Sequence, residues 1–214
     1  MGPGKLWPDP EPDTYFLERC LRQKGYSWIA GLDEVGRGPL AGPVVAAAVI
    51  LRYDYDNSCF VDSKTISTEK RSRLYEELQD NGSIIGVGIV SETEIDRLNI
   101  LQASLLAMKK AVQTMPTQPD FLLVDGNQSV PMTIPQQTLV KGETKSSSVA
   151  AASIVAKVVR DDLMAQYHLQ YPQYNFQQNR GYPTLEHREA IRVYGPCAIH
   201  RQSFKGVREY VPEP

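Results

Sequence analysis

Four short apolar runs set the rhythm of the chain: WIAGLDE at 28–34, GPVVAAAVIL at 42–51, SIIGVGIV at 83–90 and DFLLVDGN at 120–127. Each is too short for a core helix, rich in branched residues and bounded by glycine or polar positions, which predicts strands. A weaker run, MTIPQQTLV, predicts a fifth strand, and its Pro135 confines that strand to a sheet edge. The intervening segments carry helical spacing. A short leading helix is expected over 13–24. Ser67 is a candidate cap for a helix through Asn81, with Leu74 and Leu78 on one face. Ser91-Glu92-Thr93-Glu94 matches a capping box. It opens one predicted helix whose stripe is Ile95, Leu98, Leu101, Leu105, Met108 and Val112, ending before Pro116. A long helix rich in small residues is predicted over about 146–170, and a last helix from Thr184 to Gly195-Pro196.

Three strands come first, and strands then alternate with helices. That order predicts an α/β mixed sheet, antiparallel at its start and parallel later, flanked by helices. The first and fourth strands are apolar on both faces and belong at the centre. In open sheets of this class functional groups gather at the carboxyl ends of central strands. Asp33, Glu34 and Asp125 stand at such ends.

Composition narrows the picture only a little. The 214 residues, 42% apolar and 22% charged, suit a globular chain with one sizeable core. The net charge of −2 gives no global sign of a polyanionic partner. Charge is uneven, however: residues 141–214 carry 10 Lys and Arg against 7 Asp and Glu, while the other 140 carry 13 against 18. A modest basic face toward the C-terminus is therefore available. Cys20, Cys59 and Cys197 have no disulfide or zinc spacing and read as reduced thiols of a cytoplasmic protein. No run of membrane-spanning length occurs, so no membrane partner is expected. MGPGKLWPDPEP, at the N-terminus, reads as an extended tail.

The sharpest chemical signal is GLDEVGRGPLAG, residues 31–42. Its segment GRGPLA fits a dinucleotide fingerprint, but Pro39, Gly42 and Pro43 lead into another strand rather than a helix, and two carboxylates would repel a pyrophosphate. The acidic pair alone is more often a turn or an exposed strand end. Adjacent strand side chains point to opposite faces, so both reach one site only if the strand ends or bulges, which Gly36 permits. With Asp125 beside them, three carboxylates would repel one another and raise at least one pKa. A hard divalent cation such as Mg²⁺ resolves that conflict. No Ser or Cys nucleophile lies next to a histidine, so a covalent route has no support.

GLDEVGRGPLAGPVVAAAVIL, DSK at 62–64, LLVDGN, VKGETKSSSVAAASIVAKVVRD, GYPTLEH and HRQSF follow in order. Together they closely resemble the bacterial ribonuclease HII (type 2 ribonuclease H) family over about residues 28–206. The resemblance implies a ribonuclease H-like fold with a C-terminal helical extension. It divides the chain into an N-terminal extension (1–27), a catalytic domain (28–170) and a substrate-binding extension (171–214). It implies hydrolysis of RNA paired to DNA, and incision 5′ to single ribonucleotides in duplex DNA, as in ribonucleotide excision repair, leaving 3′-hydroxyl and 5′-phosphate ends. Partners are then RNA/DNA hybrids and ribonucleotide-containing duplexes, and the chain a monomer.

The family's four acidic metal ligands correspond to Asp33, Glu34, Asp125 and Glu143, the last standing where the family usually has aspartate. They would hold two Mg²⁺ or Mn²⁺ ions, with Asp33 bridging both. Asp161 and Asp162 are rival acids, but RDD after an apolar run reads as a solvated helix face. The backbone of Gly36, Arg37 and Gly38 would meet the 2′-hydroxyl that separates RNA from DNA, and Tyr182 would stack on the sugar at the junction. Lys64, Lys141, Lys145, Ser63 and Ser146 are candidate phosphate contacts. His168 reads as a surface helix residue, and His187 and His200 as supports of the C-terminal helices. The rival readings are a 3′ exonuclease on the same fold and a hybrid-binding module without catalysis.

Overall fold

The computed structural model describes residues 13–60, 63 and 66–211; the expected tail at 1–12 and the candidate Lys64 lie outside the described residues. Five strands form one sheet: β1 (Ile29–Val35), β2 (Val44–Ile50), β3 (Ile84–Val90), β4 (Phe121–Asp125) and β5 (Gln136–Leu139). Their order is β3-β2-β1-β4-β5. β1 pairs antiparallel with β2, and β2 with β3, whereas β4 runs parallel to β1 and β5 parallel to β4. β1 is therefore central, with β4 beside it, and β5 begins just past Pro135 at the edge, as the sequence predicts.

Helices cover both faces. α1 spans Phe16–Gln23, α2 Thr68–Asp80, α3 Glu92–Leu98, α4 Ile100–Gln113, α5 Ser147–Gln170, α6 Phe176–Asn179 and α7 Leu185–Tyr194. α4 packs on one face of the sheet, where Ala103, Ala107, Met108, Ala111 and Val112 meet Ala30, Leu32, Ala46 and Val124. α2 and α5 cover the other face around Ala47, Val49, Leu78 and Ile154. Among the described residues no helix is long and apolar enough to cross a membrane.

The single helix expected from Glu92 to Val112 is two. Asn99 breaks it at φ +77° and ψ 162°, a conformation rare outside glycine, and its side chain accepts from the amides of Leu101 and Gln102 to cap α4. The capping box at Ser91 and Glu94 is present as expected. The break also turns the buried stripe. Leu101 and Leu105 flank the face rather than form it, and alanines make the contact. That choice matches the sheet: a Cβ on Gly88 would lie 2.0 Å from the Ala107 carbonyl oxygen, and one on Gly86 2.1 Å from that of Ala111. Helix and strand backbones touch there because neither side carries bulk.

A third cluster joins the segment after α5 to the rest, with Leu40, Met164, Phe176, Ile191 and Val207 buried together. Asp96 of α3 ties down the segment after α7 by accepting from the amides of Gln202 and Ser203 at 2.8 and 3.0 Å.

Gly88→Ala tests the close helix–strand contact. Backbone cannot yield as a side chain can, so the substitution is expected to cost at least ~2–3 kcal/mol of unfolding free energy, measured as a lowered urea midpoint at unchanged slope.

Candidate active site

β1 delivers its two carboxylates to different sides. Leu32 is buried under α4, and by strand alternation Glu34 emerges on that face, lining a cleft with Leu101, Ser104, Met108 and Asp125. Asp33 turns toward α5, where the Ser153 hydroxyl acts to lower its pKa. Ser153 is itself bonded to Ser63, hydroxyl to hydroxyl at 2.7 Å, and both serines are buried. The Glu34 amide donates to Asp33 Oδ1 at 2.8 Å. The strand ends at Val35, and Gly36, whose φ of +98° suits glycine, starts the turn.

Asp125 is the last residue of β4, and its Oδ1 accepts from the Gly142 amide at 2.7 Å. Gly142 opens a 3₁₀ turn, Gly142–Thr144, after Lys141 at φ +57°. A Cβ on Gly142 would stand 3.1 Å from Asp125 Oδ1, so glycine here lets the turn carrying Glu143 approach the strand end.

Electrostatics couples these groups. Burial raises the Asp33 carboxyl well above its ordinary pKa, and the charges of Glu34 and Asp125 raise it further. Glu34 is also raised, chiefly by burial; Arg37 opposes this through its Nη1–Oε1 contact at 3.0 Å, and Asp125 adds to it. Among the described residues no three Asp, Glu, His or Cys side chains already stand in an arrangement that could hold a metal ion. Asp33 and Glu34, as neighbours on a strand, leave opposite faces. The donor chemistry nonetheless fits a hard divalent cation, because the set is all carboxylate oxygen and its own repulsion is what such a cation relieves.

Beside the acids lies an open surface. Arg37 and Gly38 are exposed, and a Cβ on Gly38 would reach within 3.6 Å of Tyr182 Cε1, so turn and ring adjoin. Tyr182 is 40% exposed. Lys141 and Lys145 are exposed next to the Glu143 turn. Two expected phosphate contacts are placed otherwise. Ser146 is fully buried: it caps α5 by accepting from the Val149 amide and donates to Glu18 Oε1 at 2.6 Å. Ser63 is buried against Ser153 and stands behind Asp33 instead of facing solvent. The helix N-terminus and the carboxylate claim these hydroxyls before a phosphate could.

RDD is not a solvated face either. Arg160 is completely buried, and Asp161 faces Lys157 at 2.7 Å and, at longer range, Arg180 and Arg71; Asp162 alone of the three is exposed. Ser153, Arg160 and Arg201 were not among the expected site residues. The first two had a readable signal: Ser153, Ala156, Arg160 and Met164, three or four apart, share the buried helix face.

His187 and His200 are buried and bonded through their Nε2 atoms at 3.0 Å, supporting the C-terminal helices as expected. The Cys197 amide donates to His200 Nδ1, so His200 Nε2 carries the proton toward His187, and His187 Nδ1 donates to the Tyr182 carbonyl at 2.9 Å.

A mixed five-stranded sheet with acids at the ends of its central strands is the architecture of the ribonuclease H class, and solved structures share it. The ribonuclease H2 of Pyrococcus horikoshii OT3 superposes with a TM-score of 0.71 at 24% identity, over 86% of this chain and 97% of that one. Bst-RNase HIII, solved in complex with Mn²⁺, gives 0.70 at 19% identity, over 94% and 73%. The sequence narrows the class further. The family description Ribonuclease HII matches residues 30–207, and the Ribonuclease HII of Desulfotalea psychrophila is 58% identical over 202 residues, 93% of this chain and 90% of that protein. The chain belongs to the ribonuclease HII family.

The histidine pair sets a pH dependence. Burial, then His187, pushes His200 down to about 4. An unfolded histidine protonates near 6.5. Between the two values the unfolded chain binds the extra proton, so this contribution is complete above about 6.5 and is lost as pH falls toward 4. Asp33 and Glu34, with raised values, act in the opposite direction, which makes the difference between two proteins the useful quantity. The urea stability of wild type should lose up to ~3 kcal/mol more than that of His200→Gln between pH 7.5 and pH 4.5.

Proposed function

We propose that this nuclease hydrolyses the RNA strand of RNA/DNA hybrids and incises duplex DNA on the 5′ side of a single ribonucleotide. A water oxygen bonds to phosphorus as the bond from phosphorus to the upstream O3′ breaks, leaving a 3′-hydroxyl and a 5′-phosphate on the ribonucleotide. The observation that carries the reading is the buried Asp33, held at the end of the central strand with Glu34 and Asp125 as electrostatic neighbours, an arrangement costly to the fold unless a cation is bound there.

In this reading Asp33, Glu34, Asp125 and Glu143 hold two divalent ions, Mg²⁺ or Mn²⁺. When bound, such ions lower the pKa of water and stabilise charge on the phosphoryl and leaving oxygens. The protein's own part is orientation. Ser153, backed by Ser63, fixes the Asp33 carboxylate, and the Gly142 amide fixes that of Asp125. Gly36, Arg37 and Gly38 meet the sugar with backbone, Tyr182 lies against it, and Lys145 with Lys141 takes flanking phosphates. Residues 28–170 form the catalytic part, and residues 171–214 supply Tyr182 and its supports. We read the protein as a cytoplasmic monomer acting on hybrid and ribonucleotide-containing duplexes.

The test is cleavage of an end-labelled DNA duplex carrying one ribonucleotide, with Mg²⁺, Mn²⁺ or chelator. Incision 5′ to the ribonucleotide is expected in either metal and none in chelator. Asp125→Asn is expected to lower kcat by at least ~10²-fold, the scale of removing a group that organises transition-state charge. Glu143→Gln should fall similarly if the longer side chain serves as the fourth ligand, and should stay near wild type if it does not. Tight binding without incision in any metal overturns the enzyme reading.

A further inference from the structure

Two buried arginines hold the turn that this reading assigns to sugar recognition. Arg201 is fully buried, and its guanidinium is spent on backbone carbonyls of that turn. Nη2 donates to Gly36 at 2.6 Å and Gly42 at 2.8 Å, Nη1 to Pro39 at 2.9 Å and Arg37 at 3.2 Å, and Nε to Gly42 at 2.9 Å. Arg160, also fully buried, donates from Nε to Pro43 at 3.0 Å, from Nη2 to Ala41 at 3.2 Å and from Nη1 to Arg180 at 3.0 Å. Among the described residues neither forms an ion pair with a carboxylate. Burying a guanidinium outside an ion pair is costly, and here converging carbonyl dipoles offset much of that cost.

The arrangement has a directional consequence. A trans peptide points its N–H opposite to its C=O. With the Gly36 and Arg37 carbonyls drawn inward to Arg201, the amides of Arg37 and Gly38 point away from it, and Gly38 itself adjoins Tyr182. The same cluster anchors the Tyr182 segment: the Leu40 amide donates to Gly181, the Arg201 amide to Leu40, and Arg160 reaches Arg180. Gly36 leaves room for this, since a Cβ there would stand 2.3 Å from Arg160 Nε.

We propose that Arg201, with Arg160, is a positioning residue that sets discrimination between ribose and deoxyribose by aiming the Arg37 and Gly38 amides and fixing them against Tyr182. Neither arginine touches the substrate. The inference rests on the reading of Gly36–Gly38 and Tyr182 as the sugar-reading surface.

Arg201→Lys keeps the charge but loses the planar fork that can serve several carbonyls at once. The readout is the ratio of affinities for a duplex with one ribonucleotide and for the same duplex in all-DNA form, measured by fluorescence anisotropy in chelator so that no cleavage intervenes. A merely structural defect lowers the active fraction for both duplexes and leaves the ratio unchanged. Arg201→Lys, folded by circular dichroism, is expected to lose at least fivefold of the wild-type ratio, chiefly through weaker binding of the ribonucleotide duplex. Arg160→Lys should move the ratio the same way, and carries the test should Arg201→Lys not fold. Tyr182→Ala separates the two levels of the argument. If it abolishes the preference while the folded lysine variants keep the wild-type ratio, the positioning role is overturned and the sugar-reading surface stands. If wild type has no preference, or Tyr182→Ala keeps it, the reading of that surface falls and the inference with it.

Discussion

The packing of α5 against the central strand is the constraint on which the rest depends. A Cβ on Gly31 would lie 2.1 Å from the Ser148 carbonyl carbon, so helix and strand backbones meet with nothing between them. That contact sets the height of a 24-residue helix along β1. From that height Ser153 falls beside Asp33, Arg160 beneath the turn that follows the strand, and the helix's capping residue Ser146 next to the turn that carries Glu143. The N-terminal helix locks the register: Glu18, buried at 2% exposure, accepts from the hydroxyls of Ser146 and Ser148 and from the Ser148 amide, a carboxylate at a helix N-terminus where the dipole favours it. A helix that carries no candidate catalytic group thus braces the start of α5.

Charge in this molecule is buried in two ways with opposite consequences. At the end of β1, Asp33 is buried with the charges of Glu34 and Asp125 raising its pKa, so like charges oppose one another there. Under the Gly36–Pro43 turn, two guanidiniums are buried against carbonyls, and their charge is dispersed over backbone dipoles. The first arrangement leaves its charges uncompensated. The second is already complete and serves as scaffold. The histidine pair extends the scaffold to Tyr182 through neutral rings that burial keeps unprotonated.

The sequence expectations that differed from the structure have two causes, one local and one distant in sequence. Asn99 splits an apolar stripe that looks continuous, because a single residue at positive φ outweighs periodicity. Ser63 and Ser146 look like donors for phosphate until their burial shows them serving Ser153, Glu18 and a helix end. Arg160 looks solvated in RDD until the carbonyls of Ala41 and Pro43, more than a hundred residues earlier, arrive around it. Ser63, Ser146 and Arg160 each found a partner distant in sequence, and local pattern carries no information about such partners.

The amino-acid sequence by itself determined the strands, their order of type from antiparallel to parallel, most helix boundaries, and the placement of Asp33, Glu34 and Asp125 at strand ends. Those features follow from periodicity, capping and turn chemistry, all of which act over a few residues. Only the tertiary structure decided which face each acid leaves from, which hydroxyls are spent on support, and that Arg160 and Arg201 hold the Gly36–Gly38 turn. These outcomes depend on where α5 and the C-terminal segment dock, and docking is settled by the summed packing of distant apolar surfaces rather than by any local preference.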